Sequence, residues 1–556
     1  MPTGKLILDY VYEHEQNDRD RVYLTQPYDG GKTIDYTWGQ VVDEARRMAA
    51  HLRSIGVGDG AHVGLLSKNC AHFFIAEMAI WMAGGTTVAI FPTEGPDTIR
   101  YVLEHSDAKL LFVGKLDTWP QQAPGVPAGM PRIALPLAPP NAGESWDAIM
   151  ARTKPLEGRT QRRPDELAMI IYTSGSTGTP KGVMHAFGRV SEAAERIVES
   201  DESGFVAQDR VISYLPLAHV FERAFIECAS IVASPHVYFS ESLETFVADV
   251  RRARPTLFIS VPRLWVKFQQ GVLAKMPQKK LDTMLKIPIL NNIVRKKILD
   301  GLGLDQVRIA GSGSAPIAPE VISWYRRLGV NLIEGYAMTE DFAYSHTSRP
   351  DAHAPGYVGL PYPGVEVKID ENGEVLIKSP GQMVGYYKQP DLTAQSMTPD
   401  GYFRTGDLGE RNAQGLLKLT GRAKELFKTA KGKYVAPAPI ENIIAQSTLV
   451  ESVMVSGVGQ PAAYALVVLA EEIRPRVNDP AVRAEVEREL AERLAAVNRQ
   501  VADYEQLKMI VVAREPFSIE NGMLTPTMKI KRAKIENVVE RDLDKWYSQS
   551  KPVVWA

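Results

Sequence analysis

YTSGSTGTPKG, residues 172–182, is a run of hydroxyls and glycines that closes on a proline, a lysine and a glycine. It follows the apolar segment LAMIIYT, which reads as a buried strand. A turn of this kind leaving a strand exposes backbone N–H groups in a nest that favours anions. Ser174, Ser176, Thr177 and Thr179 add hydroxyl donors, Gly175 and Gly178 let the backbone approach closely, and Lys181 brings positive charge. The P-loop pattern G-x-x-x-x-G-K-[ST] is the rival reading. Counted from Gly175, its second glycine position holds Pro180, and Gly182 follows Lys181 where a magnesium-binding hydroxyl is required. The P-loop reading fails. A generic Ser/Gly turn is the bland alternative, and eleven residues in this order behind a strand argue against it.

Outward from this loop, strands alternate with helices. Thr37 reads as an N-cap, and Val41, Val42, Ala45, Met48, Ala49, Leu52 and Ile55 keep helical spacing until Gly56. HVGLL then reads as a buried strand, Phe73–Met82 as a helix, TVAIF as a strand, and DTIRYVLEHSDAKLLFVG as helix, turn, strand. Such alternation argues for parallel sheets covered on both faces. The Pro- and Gly-rich stretch 119–140 reads as an irregular surface excursion. After about Gly356 the texture becomes turn-rich, with Glu371-Asn372-Gly373 between alternating residues as in a hairpin, suggesting a small barrel or sandwich. TGRAKELFKTAKGK reads as a linker into a last domain of ordinary size.

Composition sets outer limits. At 556 residues the chain is too long for one core. A formal net charge of −2 gives no support for a nucleic-acid partner. Two cysteines, Cys70 and Cys228, exclude a disulfide framework and favour a reducing, cytoplasmic setting. The first residues meet acidic side chains too early for a secretory signal. The most apolar run, FFIAEMAIWMAGGTTVAIF, carries Glu77 and breaks at Gly84-Gly85, so it reads as a buried helix and strand and not as a membrane span. The basic stretch 275–303 reads first as a solvated helical face, with a peripheral membrane contact as the weaker alternative.

The loop YTSGSTGTPKG resembles the signature loop of the adenylate-forming enzymes: acyl- and aryl-CoA synthetases, luciferases and peptide-synthetase adenylation domains. YLPLAHVFER, GSGSAPI, EGYAMTE, GYFRTGDLG, LTGRAKELFKTAKGKYVAPAPIE and NGMLTPTMKIKR follow in the order that family shows. The resemblance runs from about Thr33 to Lys534. It implies an α/β fold, with a large N-terminal domain of stacked sheets flanked by helices plus a small β-barrel, residues 1–422. A smaller mobile α+β C-terminal domain, residues 423–556, would follow.

The implied chemistry joins a carboxylate to ATP, giving acyl-AMP and pyrophosphate, and then passes the acyl group to a thiol, usually coenzyme A. An anionic nucleophile must approach anionic phosphates, so charge neutralisation is the main requirement. By resemblance, Thr173–Lys181 cradles the β- and γ-phosphates. Thr339 and Glu340 stand by the α-phosphate and Mg²⁺, with Glu340 the metal's carboxylate. Tyr336 stacks on adenine beside Glu334 and Gly335, and Gly311–Ala315, including Gly313 and Ser314, form the opposite wall. Asp407 suits the ribose hydroxyls, and Arg422 adds a ribose or phosphate contact. Lys529 matches the catalytic lysine that bridges carboxylate and α-phosphate. Lys424 marks the hinge, and rotation about it presents the loop at Gly432 to the pantetheine arm. His219 has two readings of equal weight: a residue lining or gating the acyl pocket, or a packed histidine at a helix start. Neither asks it for acid–base catalysis. Ala337 replaces a glycine that many members carry.

PLAHVFER, VPRLW and KTAKGKYVAPAPIE resemble long-chain acyl-CoA synthetases more than acetate or aryl-acid enzymes. The expected partners are therefore a small-molecule carboxylic acid of medium to long chain, ATP, Mg²⁺ and coenzyme A. Three rivals remain. One is a fatty-acyl-AMP ligase loading a carrier protein, which usually carries an insertion not evident here. Another is the adenylation part of a larger reductase or synthetase, for which the sequence after Lys529 leaves little room. The third is a non-catalytic adenylate-binding homologue, against which Lys529, Glu340 and the intact loop argue.

Overall fold

The structure, a computed structural model, describes residues 3–174, 179–200, 204–349, 352–354, 356–525 and 528–556. Its largest sheet has eight strands. In spatial order they are Gly385–Tyr386, Pro180–Ala186, Leu167–Ser174, Thr86–Ile90, His62–Leu66, Leu110–Val113, Arg132–Ala134 and Glu144–Ser145. From Leu167–Ser174 outward to Glu144–Ser145 the pairs are parallel, and the two strands on the other side are antiparallel. A second sheet runs Leu257–Ser260, Ile309–Ser312 and Leu332–Tyr336 in parallel before two short antiparallel strands. A third joins Arg210–Ser213, His236–Phe239 and Val22–Tyr28 in parallel, with Lys32–Thr37 antiparallel.

Local signals account for most of these elements. Thr37 caps Trp38–Ser54 in a reciprocal box with Gln40, and Gly56 beyond the helix has φ 79°. The helix Ala71–Ala83 is buried along its whole length, and Glu77 within it pairs with the guanidinium of Arg223. Glu227 Oε2 lies 2.9 Å from Arg223 Nε, and all three residues are buried. The charge inside the apolar run is therefore a buried ion-pair cluster, since a lone buried charge is untenable.

Two segments depart from the sequence reading. The 119–140 stretch is not wholly irregular, because Arg132–Ala134 pairs with Leu110–Val113 as a strand of the main sheet. Three residues are too few for a visible alternation, and the surrounding prolines hid them. TGRAKELFKTAKGK is more ordered than a linker: it holds the end of the strand Leu417–Arg422, a short turn at Ala423–Glu425, and the first strand of a hairpin, Phe427–Lys428 with Tyr434–Val435. The region expected as a small barrel or sandwich is a four-stranded antiparallel sheet, Glu366–Ile369, Glu374–Lys378, Phe403–Arg411 and Leu417–Arg422.

The C-terminal residues build their own sheet from Val450–Ser456, Ala463–Leu469, Leu507–Val512 and Val553–Trp555. Alternate residues feed two separate cores. Val455, Ala465, Val467 and Ile510 face one, while Met454, Leu466, Val468 and Val511 face the other. Burial on both faces explains the unbroken apolar run AYALVVL. Arg263, on the helix Pro262–Lys275, reaches this part through Glu451 at 2.7 Å. Among the described residues no helix is long and apolar enough to cross a membrane.

Candidate active site

Three chain segments meet at one end of the two large sheets. Ile309–Ser312 and Leu332–Tyr336 are parallel neighbours, so Gly313–Ala315 and Tyr336 leave the sheet at the same edge, where open α/β sheets bind ligands. A Cβ on Gly313 would lie 3.2 Å from the Phe221 ring, so glycine is what lets this backbone pass. Ser314, exposed beside it with Ala315, has φ 68°. Phe342 and Ala343 just after Thr339–Asp341 also have positive φ, at 54° and 58°. Non-glycine residues in that region are uncommon and cluster at functional sites.

The loop that opened the reading is the turn of a hairpin. Leu167–Ser174 pairs antiparallel with Pro180–Ala186, setting Thr173 opposite Lys181 and Ser174 opposite Pro180. A P-loop leads from a strand into a helix; this loop leads into another strand. Gly175, Ser176, Thr177 and Gly178 lie outside the described residues.

The returning strand organises its surroundings. His185 Nε2 donates to the Thr339 carbonyl at 2.9 Å, and burial holds this imidazole down to about 3, so it is neutral. Gly385–Tyr386 pairs with the same strand at Met184 and Val183. The Tyr386 hydroxyl donates to Glu340 Oε1 at 2.7 Å, and the Lys181 ammonium sits 5.5 Å from the Tyr386 ring centroid. Burial first, then the Glu340 carboxylate, pushes the Tyr386 phenol well up. It stays a donor at any working pH. Glu340 itself is half-buried.

Across the cleft, Asp407 is a buried acceptor shared by two donors. Tyr336 donates its hydroxyl to Oδ2 at 2.6 Å, and Arg422 donates Nε to Oδ1 at 2.7 Å. The Asp407 carboxylate raises the Arg422 guanidinium. Glu334 is bonded outside this group. It is buried behind the Gly313–Ala315 turn, its Oε1 accepts from the Ile317 N–H at 3.2 Å, and burial pushes it up to about 7. Gly335 forms part of the strand and pairs with Thr347.

Lys529 completes the cleft from the C-terminal part. It sits on a tight reversal in which Leu524 bridges Ile530, with Met528 at φ 63°. The Lys529 N–H donates to Thr525 Oγ1 at 3.0 Å. Crowded by protein yet still reached by water, its ammonium is held below the usual lysine value. Desolvation is the largest cause and Arg422 adds to it, while Asp407, Glu340 and Glu425 oppose.

His219 takes the packed position at a helix start. Its Nδ1 accepts from the Phe221 N–H at 3.2 Å at the start of a short helix, and its ring meets Phe91 edge-on at 6.5 Å. Burial and then the Lys529 charge hold it down to about 3. Lys424 lies in the short turn that follows Arg422. Gly432, φ 78°, occupies the exposed tip of the hairpin after that turn.

Tyr386 and His185 escaped the sequence reading. Neither lies in a motif, and both act by strand pairing that places them against Thr339 and Glu340. Arg223, in the PLAHVFER segment, is likewise no cleft residue but the hub of the buried cluster with Glu77.

A hairpin carrying the glycine- and hydroxyl-rich loop, an acidic corner, a buried carboxylate shared by two donors and a lysine brought in from a second part define a nucleotide-using, acid-activating class of enzyme. The comparisons agree. Residues 11–387 match the model of the AMP-binding enzyme family, and residues 425–551 match the AMP-binding enzyme C-terminal domain. The chain belongs to the AMP-binding enzyme family. It is 28% identical over 613 residues to the peroxisomal long chain acyl-CoA synthetase 7 of Arabidopsis thaliana, covering 98% of this chain and 87% of that protein. It is 28% identical over 582 residues to the long-chain-fatty-acid–CoA ligase FadD15 of Mycobacterium bovis, covering 97% and 96%. Among solved structures, the adenylation domain of a carboxylate reductase from Mycobacterium chelonae has the same fold, with TM-score 0.81, 23% identity and coverage of 98% and 92%. An anthranilate CoA ligase in complex with anthranoyl-AMP matches with TM-score 0.79 at 20% identity, covering 98% and 99%.

Proposed function

We propose that this chain is an AMP-forming acyl-CoA synthetase that activates a medium- to long-chain fatty acid and transfers it to coenzyme A. The observation that carries the reading is the convergence on one cleft of Lys529 with Glu340, Asp407 and Arg422. Curated relatives named as long-chain acyl-CoA synthetases match over almost the whole chain and support the substrate class.

In this reading the 173–181 hairpin turn holds the β- and γ-phosphates, with Lys181 at its far side. Tyr336 and the Gly313–Ala315 turn flank the adenine, and the Asp407 carboxylate accepts from the ribose hydroxyls. Lys529 donates to both the incoming carboxylate and the α-phosphate, offsetting charge as it moves toward pyrophosphate. Desolvation first, and then the Arg422 charge, hold the Lys529 ammonium below the usual lysine value. His219 and His185 are neutral and serve as shape and hydrogen-bond fixtures.

The donor set at Glu340 fits Mg²⁺. Among the described residues no group of three His, Cys, Asp or Glu side chains is placed to hold a metal. A single carboxylate completed by phosphate oxygens and water is how Mg²⁺ is usually bound beside nucleotides. Glu340 would hold it, with Tyr386 fixing the carboxylate's other oxygen. Bound there with ATP, the ion would supply charge neutralisation at the phosphates.

The second half-reaction requires Lys529 to leave. We place the domain boundary at 422/423 and the hinge at Lys424, where a few residues between two sheets absorb the rotation. Gly432 at its exposed hairpin tip would then enter the cleft beside the pantetheine arm. Free, buried Cys70 and Cys228 support a cytoplasmic setting.

The test is pyrophosphate release from ATP and Mg²⁺ across acids of increasing chain length, with and without coenzyme A. Sustained turnover only with coenzyme A and a fatty acid supports the reading. Release that stops near one turnover and ignores coenzyme A would transfer the assignment to a carrier-protein ligase. No release with any fatty acid would refute it.

A further inference from the structure

The crossover from Leu257–Ser260 to Ile309–Ser312 is made of three helices, Pro262–Lys275, Gln278–Leu285 and Pro288–Leu302. Between residues 262 and 302 there are nine Lys or Arg and only two acidic residues, Asp282 and Asp300, in a chain whose formal net charge is −2. Asp282 is turned toward the body of the protein, where Arg327 pairs with it at 3.0 Å. The positive charge is therefore concentrated on this crossover and barely compensated on its outer side.

The last helix is apolar on two sides. Val294 and Ile298, one turn apart, are buried in the core of the crossover. Ile293 lies about 100° and Ile289 about 140° round the helix from Val294, and Ile289 and Ile293 remain 78% and 58% exposed. Ile287, just ahead of the helix, is 45% exposed. Lys286 precedes this isoleucine row, and Lys296 and Lys297, three and four residues beyond Ile293, continue it on the same side; all three lysines are exposed. Branched aliphatic side chains open to water, beside lysines that pair with no acidic side chain among the described residues, match the interfacial pattern, apolar groups set to enter an acyl boundary and ammonium groups level with headgroup phosphates.

From this juxtaposition we infer that the Lys286–Lys297 face is a docking surface for an anionic lipid bilayer. Charge complementarity selects that occupant over a neutral membrane. The crossover belongs to the sheet whose strands end at the cleft, so docking on this face would bring the enzyme to the phase from which a long acid partitions. This inference builds on the fatty-acid reading above, but its test does not use activity.

The experiment is co-sedimentation of the full chain with vesicles of phosphatidylcholine alone and of phosphatidylcholine with one-quarter phosphatidylglycerol, at low and high salt. The expected result is binding to the anionic vesicles, at least tenfold stronger than to neutral ones and weakened by salt. Ile289→Ser with Ile293→Ser should lower it at least fivefold. Lys286→Glu with Lys296→Glu and Lys297→Glu should reduce it to the neutral-vesicle level. Both variants should keep the wild-type melting temperature, because every altered side chain is exposed. Absence of anionic-vesicle binding by the wild type, or binding that neither variant changes, would overturn the proposal. A concentration-dependent dimer of the wild type that Ile289→Ser/Ile293→Ser disperses, with vesicle binding unchanged, would assign the face to a second copy of the chain instead. Failure of the pyrophosphate assay with vesicle binding intact would remove the substrate reading and leave the docking surface standing.

Discussion

Replacing Asp407 by asparagine tests the electrostatics of the cleft at its most connected point. The buried carboxylate accepts from Tyr336 at 2.6 Å and from Arg422 at 2.7 Å. An asparagine has one acceptor oxygen, so one of these donors must meet an amide N–H₂. A hydrogen bond to a charged group contributes about 1.5–3 kcal/mol. Arg422 is half exposed and recovers some of that from water, so the low end applies, roughly 1.5–2 kcal/mol, or about 10- to 30-fold in kcat/KM for ATP. A second consequence concerns pH. Asp407 holds the Lys529 ammonium up while Arg422 holds it down. With Asp407 neutral, Lys529 loses its proton at lower pH than in the wild type. Arg422→Gln should do the opposite. Adenylation needs the protonated lysine, so its rate falls as pH rises through the Lys529 pKa. The assay is acid-dependent ATP–pyrophosphate exchange from pH 7 to 10.5. Asp407→Asn should move the alkaline limb down and Arg422→Gln should move it up. Limbs that coincide in all three proteins, or shift in the reverse order, would refute the role given to Lys529's surroundings.

Tyr386→Phe keeps the ring against Val183, Met383 and Phe403 but frees Glu340 Oε1. Partners that orient a metal-binding carboxylate typically affect metal affinity 10- to 100-fold, so the Mg²⁺ concentration for half-maximal exchange should rise by about that factor with the KM for the acid unchanged. An unchanged Mg²⁺ requirement removes the positioning role. Glu222 is buried, and although its Oε1 accepts from Ser213 at 2.8 Å and the Tyr214 N–H at 2.9 Å, burial pushes it up to about 8. Between pH 4.5 and about 8 the unfolded chain has released this proton and the folded protein has not, so wild-type stability falls across that window, by roughly 4 kcal/mol at most. The melting temperature of Glu222→Gln minus that of wild type should climb from pH 5 to pH 8; a constant difference would contradict the assignment. Gly432 has φ 78°, and a Cβ there would meet only the Lys428 side chain, at an ordinary 3.9 Å. Asn tolerates that backbone and Leu does not, so Gly432→Asn should fold normally, keep pyrophosphate exchange and slow transfer to coenzyme A at least tenfold. Transfer at the wild-type rate would take Gly432 out of the pantetheine path.

How much of this could be read in advance depended on whether the cause was local. Thr37, the alternation around the Glu371–Gly373 hairpin, and the strand before the quoted loop announce themselves within a few residues. Arg132–Ala134 did not, because its warrant is pairing with Leu111–Val113 on one side and Glu144–Ser145 on the other. Tyr386 and His185 were invisible for the same reason: their partners, Glu340 and Thr339, lie far along the chain. Glu334, a conspicuous acidic residue inside a nucleotide-binding motif, accepts from the Ile317 N–H in the loop after Gly313–Ala315, a bond that nothing local in the sequence announces. The gathering of Lys529 with Asp407 and Arg422 rested on resemblance alone, since nothing in their spacing joins the C-terminal reversal to the end of Leu417–Arg422.

The account stands most directly on Lys529 serving one half-reaction and not the other. The deciding measurement compares Lys529→Ala with wild type in two assays: acid-dependent ATP–pyrophosphate exchange, and acyl-CoA formation from supplied acyl-AMP. The lysine's two donated interactions at the reacting centre, each charge-assisted, set an expected loss of at least about 100-fold in exchange. Transfer from acyl-AMP should stay within about threefold of wild type, because the proposed rotation withdraws Lys529 before that step. Equal loss in both assays, or exchange near the wild-type rate, would contradict it.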